Sequence, residues 1–171
     1  TGCACCYLSN EASKIKIESS TLGTVCDMGI TDVFNMGAVM APSAAKVIYD
    51  HLKDTNRKID YYDLIITGDL GEIGKKILKE YIKKEYNITL RNYEDSACMI
   101  FDLKKQQVYS GGSGPACLPL VTYSYILDRM KKGKLKKVLL VATGALMNTS
   151  MCNQHLTIPS IAHAISLEAM L

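Results

Sequence analysis

Tyr62-Asp63-Leu64-Ile65-Ile66-Thr67-Gly68-Asp69-Leu70-Gly71 is the stretch that decides the fold. Leu64 to Thr67 runs without the apolar–polar alternation of a half-buried strand, as expected of a short strand covered on both faces in a parallel sheet. Gly68-Asp69-Leu70-Gly71 breaks it sharply. Beyond the turn, Ile73, Ile77 and Tyr81 recur at helical spacing, while Lys75, Lys76, Lys79 and Lys83 fall largely outside that stripe, so a helix should return across the sheet with its apolar side inward. Buried strand, turn and amphipathic helix make a βα unit, and the expected class is α/β: a mainly parallel sheet flanked by helices.

Toward the N-terminus, Pro42 suits a first helical position, and Ala41, Ala45, Ile48 and Leu52 keep helical spacing up to Lys53-Asp54-Thr55-Asn56. Residues 21–40, broken by Gly23, Gly29 and Gly37, read as a long loop. Ala4 to Ser9 and Ile15 to Ser19, joined by Asn10-Glu11-Ala12-Ser13, read as a hairpin with one buried face. Toward the C-terminus, Met99-Ile100-Phe101 and Val108-Tyr109-Ser110 are expected to pair as strands, and Gly111-Gly112-Ser113-Gly114 leads into a helix opened by Pro115 that runs to Gly133. Val138 to Ala142 is a second buried strand, turned by Thr143-Gly144-Ala145. In a last strand Ile161, His163, Ile165 and Leu167 alternate with Ala162, Ala164 and Ser166.

The chain has 171 residues, 48% hydrophobic and 22% charged, enough apolar mass for one core. Its net charge is +3, with lysines spread along helices rather than massed with aromatics, so no nucleic-acid footprint is expected. No apolar stretch approaches the roughly 20 residues that span a bilayer, and Thr1-Gly2-Cys3-Ala4-Cys5-Cys6 does not open like a signal segment. Membrane association is therefore expected through partners only. Seven cysteines, an odd number without regular spacing, point to reduced thiols in an intracellular protein. Cys3, Cys5 and Cys6 lack a paired CxxC and a nearby histidine; they read as buried hairpin thiols, and no metal site is expected.

Two loops could carry chemistry, Thr67-Gly68-Asp69-Leu70-Gly71 and Gly111-Gly112-Ser113-Gly114. Each precedes a helix, and each is expected to follow a strand, which would bring both to the carboxyl rim of one sheet, where open α/β folds hold ligands. Glycine lets backbone N–H groups approach an anion closely, and a helix start adds unpaired donors. The candidate ligand-binding residues are Thr67, Gly68, Asp69, Gly71, Gly111, Gly112, Ser113 and Gly114. Asp69 reads equally as a helix cap or a functional carboxylate. Cys117 is the best nucleophile candidate because a helix start lowers a thiol pKa, yet a small core residue is the stronger reading. His51 is placed at a helix end or in solvent, His155 in a polar loop, and His163 in the core.

Five separated motifs also carry a resemblance. Asn35-Met36-Gly37-Ala38-Val39-Met40-Ala41-Pro42, Tyr62 to Gly71, Ser110 to Gly114, Val141-Ala142-Thr143-Gly144-Ala145-Leu146 and Ile158-Pro159-Ser160-Ile161-Ala162-His163-Ala164 follow one another as in the stage V sporulation protein AD family, which resembles the thiolase superfamily. That superfamily has two similar halves sharing a pocket, so the resemblance implies that 1–22 is the last hairpin of an N-terminal half and 23–171 the C-terminal half. The superfamily's nucleophilic cysteine would then lie upstream. Ketoacyl synthases carry a histidine in Pro-His-Gln-Ala-Asn where this chain has Gly68, and an asparagine in Gly-Asn-Thr-Ser where it has Gly112. The resemblance therefore implies a binding protein without catalytic residues, whose ligand is dipicolinate (pyridine-2,6-dicarboxylate), with Ca²⁺ as a possible companion and no other cofactor. Its implied partners are the other stage V sporulation protein A membrane subunits, the N-terminal half and a second copy in a homodimer. Its implied place is the cytoplasmic side of the forespore or spore inner membrane, peripherally, in dipicolinate uptake during sporulation. The alternative is an acyltransferase of the thiolase or ketoacyl synthase type using an upstream cysteine.

Overall fold

The computed structural model describes residues 2–170 as one five-stranded sheet with helices on both faces. In chain order the elements are β1 (Ile15–Thr21), α1 (Met36–Asp54), a 3-10 turn (Ile59–Tyr61), β2 (Leu64–Thr67), α2 (Gly71–Tyr86), β3 (Tyr93–Asp95) and α3 (Ala97–Ile100). There follow α4 (Cys117–Val121), a π turn (Thr122–Ile126), α5 (Leu127–Lys131), β4 (Lys137–Ala145), α6 (Thr149–Asn153) and β5 (Ser160–Ala169). The strand order is β1-β5-β4-β2-β3. β2 is parallel to β3 and β4, while β5 runs against β4 and β1, so four strands share one direction.

One core lies between the sheet and the pair α1, α2, built on Ile48, Ile65, Leu78, Ile82 and Leu139. The other lies under α4 and α5, on Ile66, Ile126, Met130 and Val138. Ile65 and Ile66, adjacent in β2, thus face opposite cores, as the unbroken apolar run requires. The two helices of the first layer touch at glycines. A Cβ built on Gly37 would lie 2.4 Å from the Leu70 carbonyl oxygen and 2.9 Å from Gly74 Cα.

Several expectations fail for identifiable reasons. β1 does not pair with residues 4–9, which form no strand; its partner is β5, from Ile15↔Ala169 to Thr21↔Ala164. It is the edge strand of the same sheet as β2 to β5. α1 starts at Met36, six residues before Pro42, because Asn35 caps it by accepting from the Ala38 N–H at 3.3 Å. Pro42 is an interior residue of that helix. The buried stripe of α2 is Gly71, Gly74, Leu78 and Ile82, turned one position from the expected one; Ile73 is 53% exposed, and Ile77 and Tyr81 only flank the core. Residues 99–101 and 108–110 are not strands. The third parallel strand is β3, which the sequence reading passed over. The helix expected from Pro115 begins at Cys117, and Thr143 to Ala145 continue β4 instead of turning it.

In β5 the inward residues are Ser160, Ala162, Ala164 and Ser166. They are small because α1 lies close above them with Ala41, Ala44 and Ala45. Ile161 and His163, expected in the core, are half-buried on the other face, and Ile165 is exposed. His163 Nδ1 accepts from the Gly23 N–H at 3.1 Å.

His51 is fully buried rather than at the surface. Its Nδ1 lies 2.7 Å from Thr21 Oγ1 and its Nε2 2.6 Å from Tyr62 Oη, and burial followed by the Arg57 charge pushes its pKa down. The network continues to Glu18, where the β1–β5 register shifts and the extra residue is re-aimed. Burial works to raise the Glu18 pKa, but bonds from Tyr61, Lys137 and Ser166 and the charge of Arg57 hold it down at about 2.

Candidate functional site

The two glycine loops meet at the carboxyl ends of β2 and β3. The Glu72 N–H donates to the Ser110 carbonyl oxygen at 2.8 Å, and the Gly114 N–H donates to Asp69 Oδ2 at 2.9 Å. The second loop does not follow a strand as expected; it is pinned by the Gly112 N–H donating to the Ala97 carbonyl oxygen at 2.8 Å. Gly71 and Gly111 have φ of +68° and +119°, and a Cβ on Gly111 would sit 2.4 Å from that same Ala97 oxygen, so glycine is required at both positions.

Beneath the loops lies a residue the sequence reading missed. Asp95, fully buried at the end of β3, accepts from the Leu70 N–H at 3.1 Å, the Gly71 N–H at 3.0 Å, the Ala97 N–H at 3.2 Å and the Thr67 hydroxyl at 2.6 Å. Burial raises its pKa to about 6, against the lowering by its bonds from Thr67, Gly71, Leu70 and Ala97. Asp95 occupies the start of α2, where the dipole would attract an anion. The donors expected there for a ligand are already taken. Its only signal in the sequence was an acidic residue in Tyr93-Glu94-Asp95-Ser96, too short a run for strand periodicity to show.

Thr67 is buried, with its hydroxyl between Tyr93 Oη and Asp95, and does not reach the surface. The Gly68 carbonyl accepts from the Ser96 hydroxyl, and a Cβ on Gly68 would come within 2.7 Å of Thr143 Oγ1. Asp69 is half-buried and links the loops to β4, accepting from Gly114 and from the Thr143 hydroxyl at 3.3 Å. A Cβ on Gly112 would point inward, 3.2 Å from Cys117 Sγ and 3.3 Å from Ile100 Cδ1. Ser113 is exposed, while Gly114 (φ +99°) and Gly144 of β4 face open space, with no atom within 4 Å of a built Cβ. The accessible rim is therefore Asp69, Ser113, Gly114, Thr143 and Gly144. An apolar hollow of about 350 Å³, lined by Val25, Gly144, Ala145, Leu146 and Ile161, adjoins it.

Cys117 is buried, and burial, then the negative charges of Asp69 and Asp95, push its thiol up to about 11. It behaves as a core residue. Iodoacetamide at pH 8 should leave Cys117 unmodified in the folded protein and label it only with denaturant, as peptide mass spectrometry can check. Cys3, Cys5 and Cys6 are exposed rather than buried, and Cys6 Sγ accepts from the Tyr123 hydroxyl at 3.1 Å. His155 is exposed, with φ +53°.

Residues 1–168 match the family model described as stage V sporulation protein AD. The chain belongs to that family. It is 45% identical over 168 residues to stage V sporulation protein AD of Bacillus subtilis (strain 168), covering 98% of this chain and 49% of that protein. The chain spans about half the length of this curated relative. Among solved structures it is similar to 3-oxoacyl-[acyl-carrier-protein] synthase III from Aquifex aeolicus VF5, with a TM-score of 0.50 and 15% identity over 94% of this chain and 46% of the synthase chain. The fold is thiolase-like. Among the described residues of this family member, no helix is long and apolar enough to cross a membrane.

Proposed function

We propose that the intact protein is a non-catalytic binding component of dipicolinate uptake in sporulation, with the rim as part of its ligand site. What supports this reading is the pair Gly68 and Gly112, glycines at the positions where the resemblance places the histidine and asparagine of ketoacyl synthases, in a chain of a sporulation family. Loss of even one preorganised donor typically costs about 10² to 10³ in rate. Neither position has room for its missing side chain without displacing Thr143 or Cys117 and Ile100. What remains is backbone, a serine and a threonine around open space, suited to the edge of a small flat dianion. Asp69 would repel such a ligand unless a cation came between them. Ca²⁺ takes 6–8 oxygens and would find one carboxylate here, so it would arrive with the ligand's own carboxylates. The N-terminal half would close the site, and membrane subunits of the same system would receive the ligand from a peripheral protein at the forespore or spore inner membrane. A second copy in a homodimer is a further expected partner.

Calorimetric titration of the full-length protein with dipicolinate, with and without Ca²⁺, tests this. Gly144→Val, placed in open space at an ordinary strand position, should keep the fold and weaken binding at least tenfold. Gly112→Val is a poorer probe than its place in the loop suggests, because its side chain would enter the core. No binding by the wild type would end the reading. Cysteine-dependent acyl exchange would replace it with the acyltransferase alternative.

A further inference from the structure

The end of the sheet opposite the rim gathers positive charge. Because β1, β2, β3 and β4 run the same way, the segments that lead into them all lie at this end. The pairing there is direct: the Ala169 N–H donates to the Lys136 carbonyl at 2.8 Å, and the Met170 N–H to the Lys14 carbonyl at 2.8 Å. The helices arriving at this end carry cations in their last turns, Lys53 in α1, Lys83 and Lys84 in α2, Arg129 and Lys131 in α5. Between 129 and 137 stand Arg129, Lys131, Lys132, Lys134, Lys136 and Lys137.

The acids nearby are largely engaged within the protein. Asp63 Oδ2 accepts from the Lys136 and Lys137 N–H groups at 2.7 and 2.9 Å. Glu18 holds Arg57 and Lys137, Glu168 holds Lys16 and Lys137, and Asp128 holds Lys132. Lys58, Lys83, Lys84, Arg91, Lys131 and Lys134 are exposed and make no salt bridge among the described residues, against the exposed acids Glu11, Asp54, Asp60 and Glu85. At the other end, residues 22–35 contain Asp27 and Asp32 and no cation. The chain is polarised along its strands far more than a net charge of +3 suggests.

We propose that this basic end docks on an anionic phospholipid bilayer. Five of these six cations are lysines, compact hydrated charges on flexible stems, and the six come from three separate segments instead of lining one groove. That arrangement matches a diffuse layer of anionic headgroups, whose negative surface potential attracts each nearby Lys or Arg. Docking this way leaves the rim facing away from the lipid, roughly a strand length or about 25 Å distant. The inference adds a direct lipid contact to the peripheral location proposed above. It does not require that dipicolinate be the ligand.

The test is co-sedimentation of the full-length protein with vesicles of phosphatidylcholine alone or with 30% phosphatidylglycerol, without partner subunits. Binding is expected only to the anionic vesicles, falling at least tenfold between 50 and 300 mM salt. Reversing Lys58, Lys83, Lys84, Arg91, Lys131 and Lys134 to Glu should lower it at least 100-fold, and Lys131→Glu with Lys134→Glu at least fivefold, whereas Lys104→Glu with Lys105→Glu should change it little. Titrating the same variants with dipicolinate separates this surface from the ligand site. No binding to anionic vesicles, equal binding by the reversed variants, or binding to a DNA duplex but not to vesicles would overturn the proposal.

Discussion

Asp95→Ala is expected to destabilise the folded protein by about 3–5 kcal/mol, the scale at which removal of a buried charged partner strands the groups around it. Three backbone N–H groups and the Thr67 hydroxyl would lose their acceptor in a site without solvent. Asp95→Asn keeps the shape but points an NH₂ at donors, and should recover only part of the loss. The pH dependence has a definite sign. Burial holds the folded carboxyl at about 6, above its ordinary value of 3.8, so between these values the native state keeps a proton that the unfolded chain has released. The contribution of this group is fully present below about pH 4 and is lost as pH rises through about 6, on the order of 3 kcal/mol in all. Urea unfolding of wild type and Asp95→Asn at pH 4.5 and 7.5 checks this: the wild-type advantage should shrink at the higher pH. An advantage that grows with pH would show that the bonds outweigh burial.

The second large effect is expected at the helix crossing. A Cβ on Gly74 would lie 2.7 Å from Gly37 Cα and 2.9 Å from Leu70 Cβ, so the obstruction includes backbone with no flexible side-chain end to yield. Gly74→Val should cost about 3 kcal/mol or more, the upper range for overpacking a tight contact, with a further small penalty for a β-branched residue in a helix. Because α2 begins at Gly71, its displacement would move the first glycine loop. Weaker dipicolinate binding should accompany the lower denaturation midpoint. A midpoint within 2 °C of wild type would show that the two helices separate easily.

What the sequence revealed depended on how local the determining interaction was. Leu64 to Thr67 and Val138 to Ala142 were legible as strands because an unbroken apolar run has few other uses. β3 was not legible, since three residues cannot show a period and Asp95 is buried by partners in three other segments. The stripe of α2 was misplaced because Gly71 and Gly74, apolar by closeness of approach and not by side chain, define its inner face. Among site residues, the two glycine loops were legible as loops. Their meeting rests on Glu72–Ser110 and Asp69–Gly114, bonds across 38 and 45 positions that no spacing announces. His51 escaped for the same reason, its partners Thr21 and Tyr62 lying in separate elements.

The pairing of β1 with β5 also orders events in time. Ile15 meets Ala169, so the strand synthesised first among the five completes its ladder only with the strand synthesised last. On a ribosome adding about 5–20 residues per second, the edge of β1 that faces β5 would wait roughly 8–30 seconds for its partner. During that interval the growing chain presents a strand edge to any neighbour able to pair with it. Chaperone engagement of the nascent chain should therefore persist until β5 has left the exit tunnel, and truncation before Ser160 should leave β1 open to intermolecular pairing.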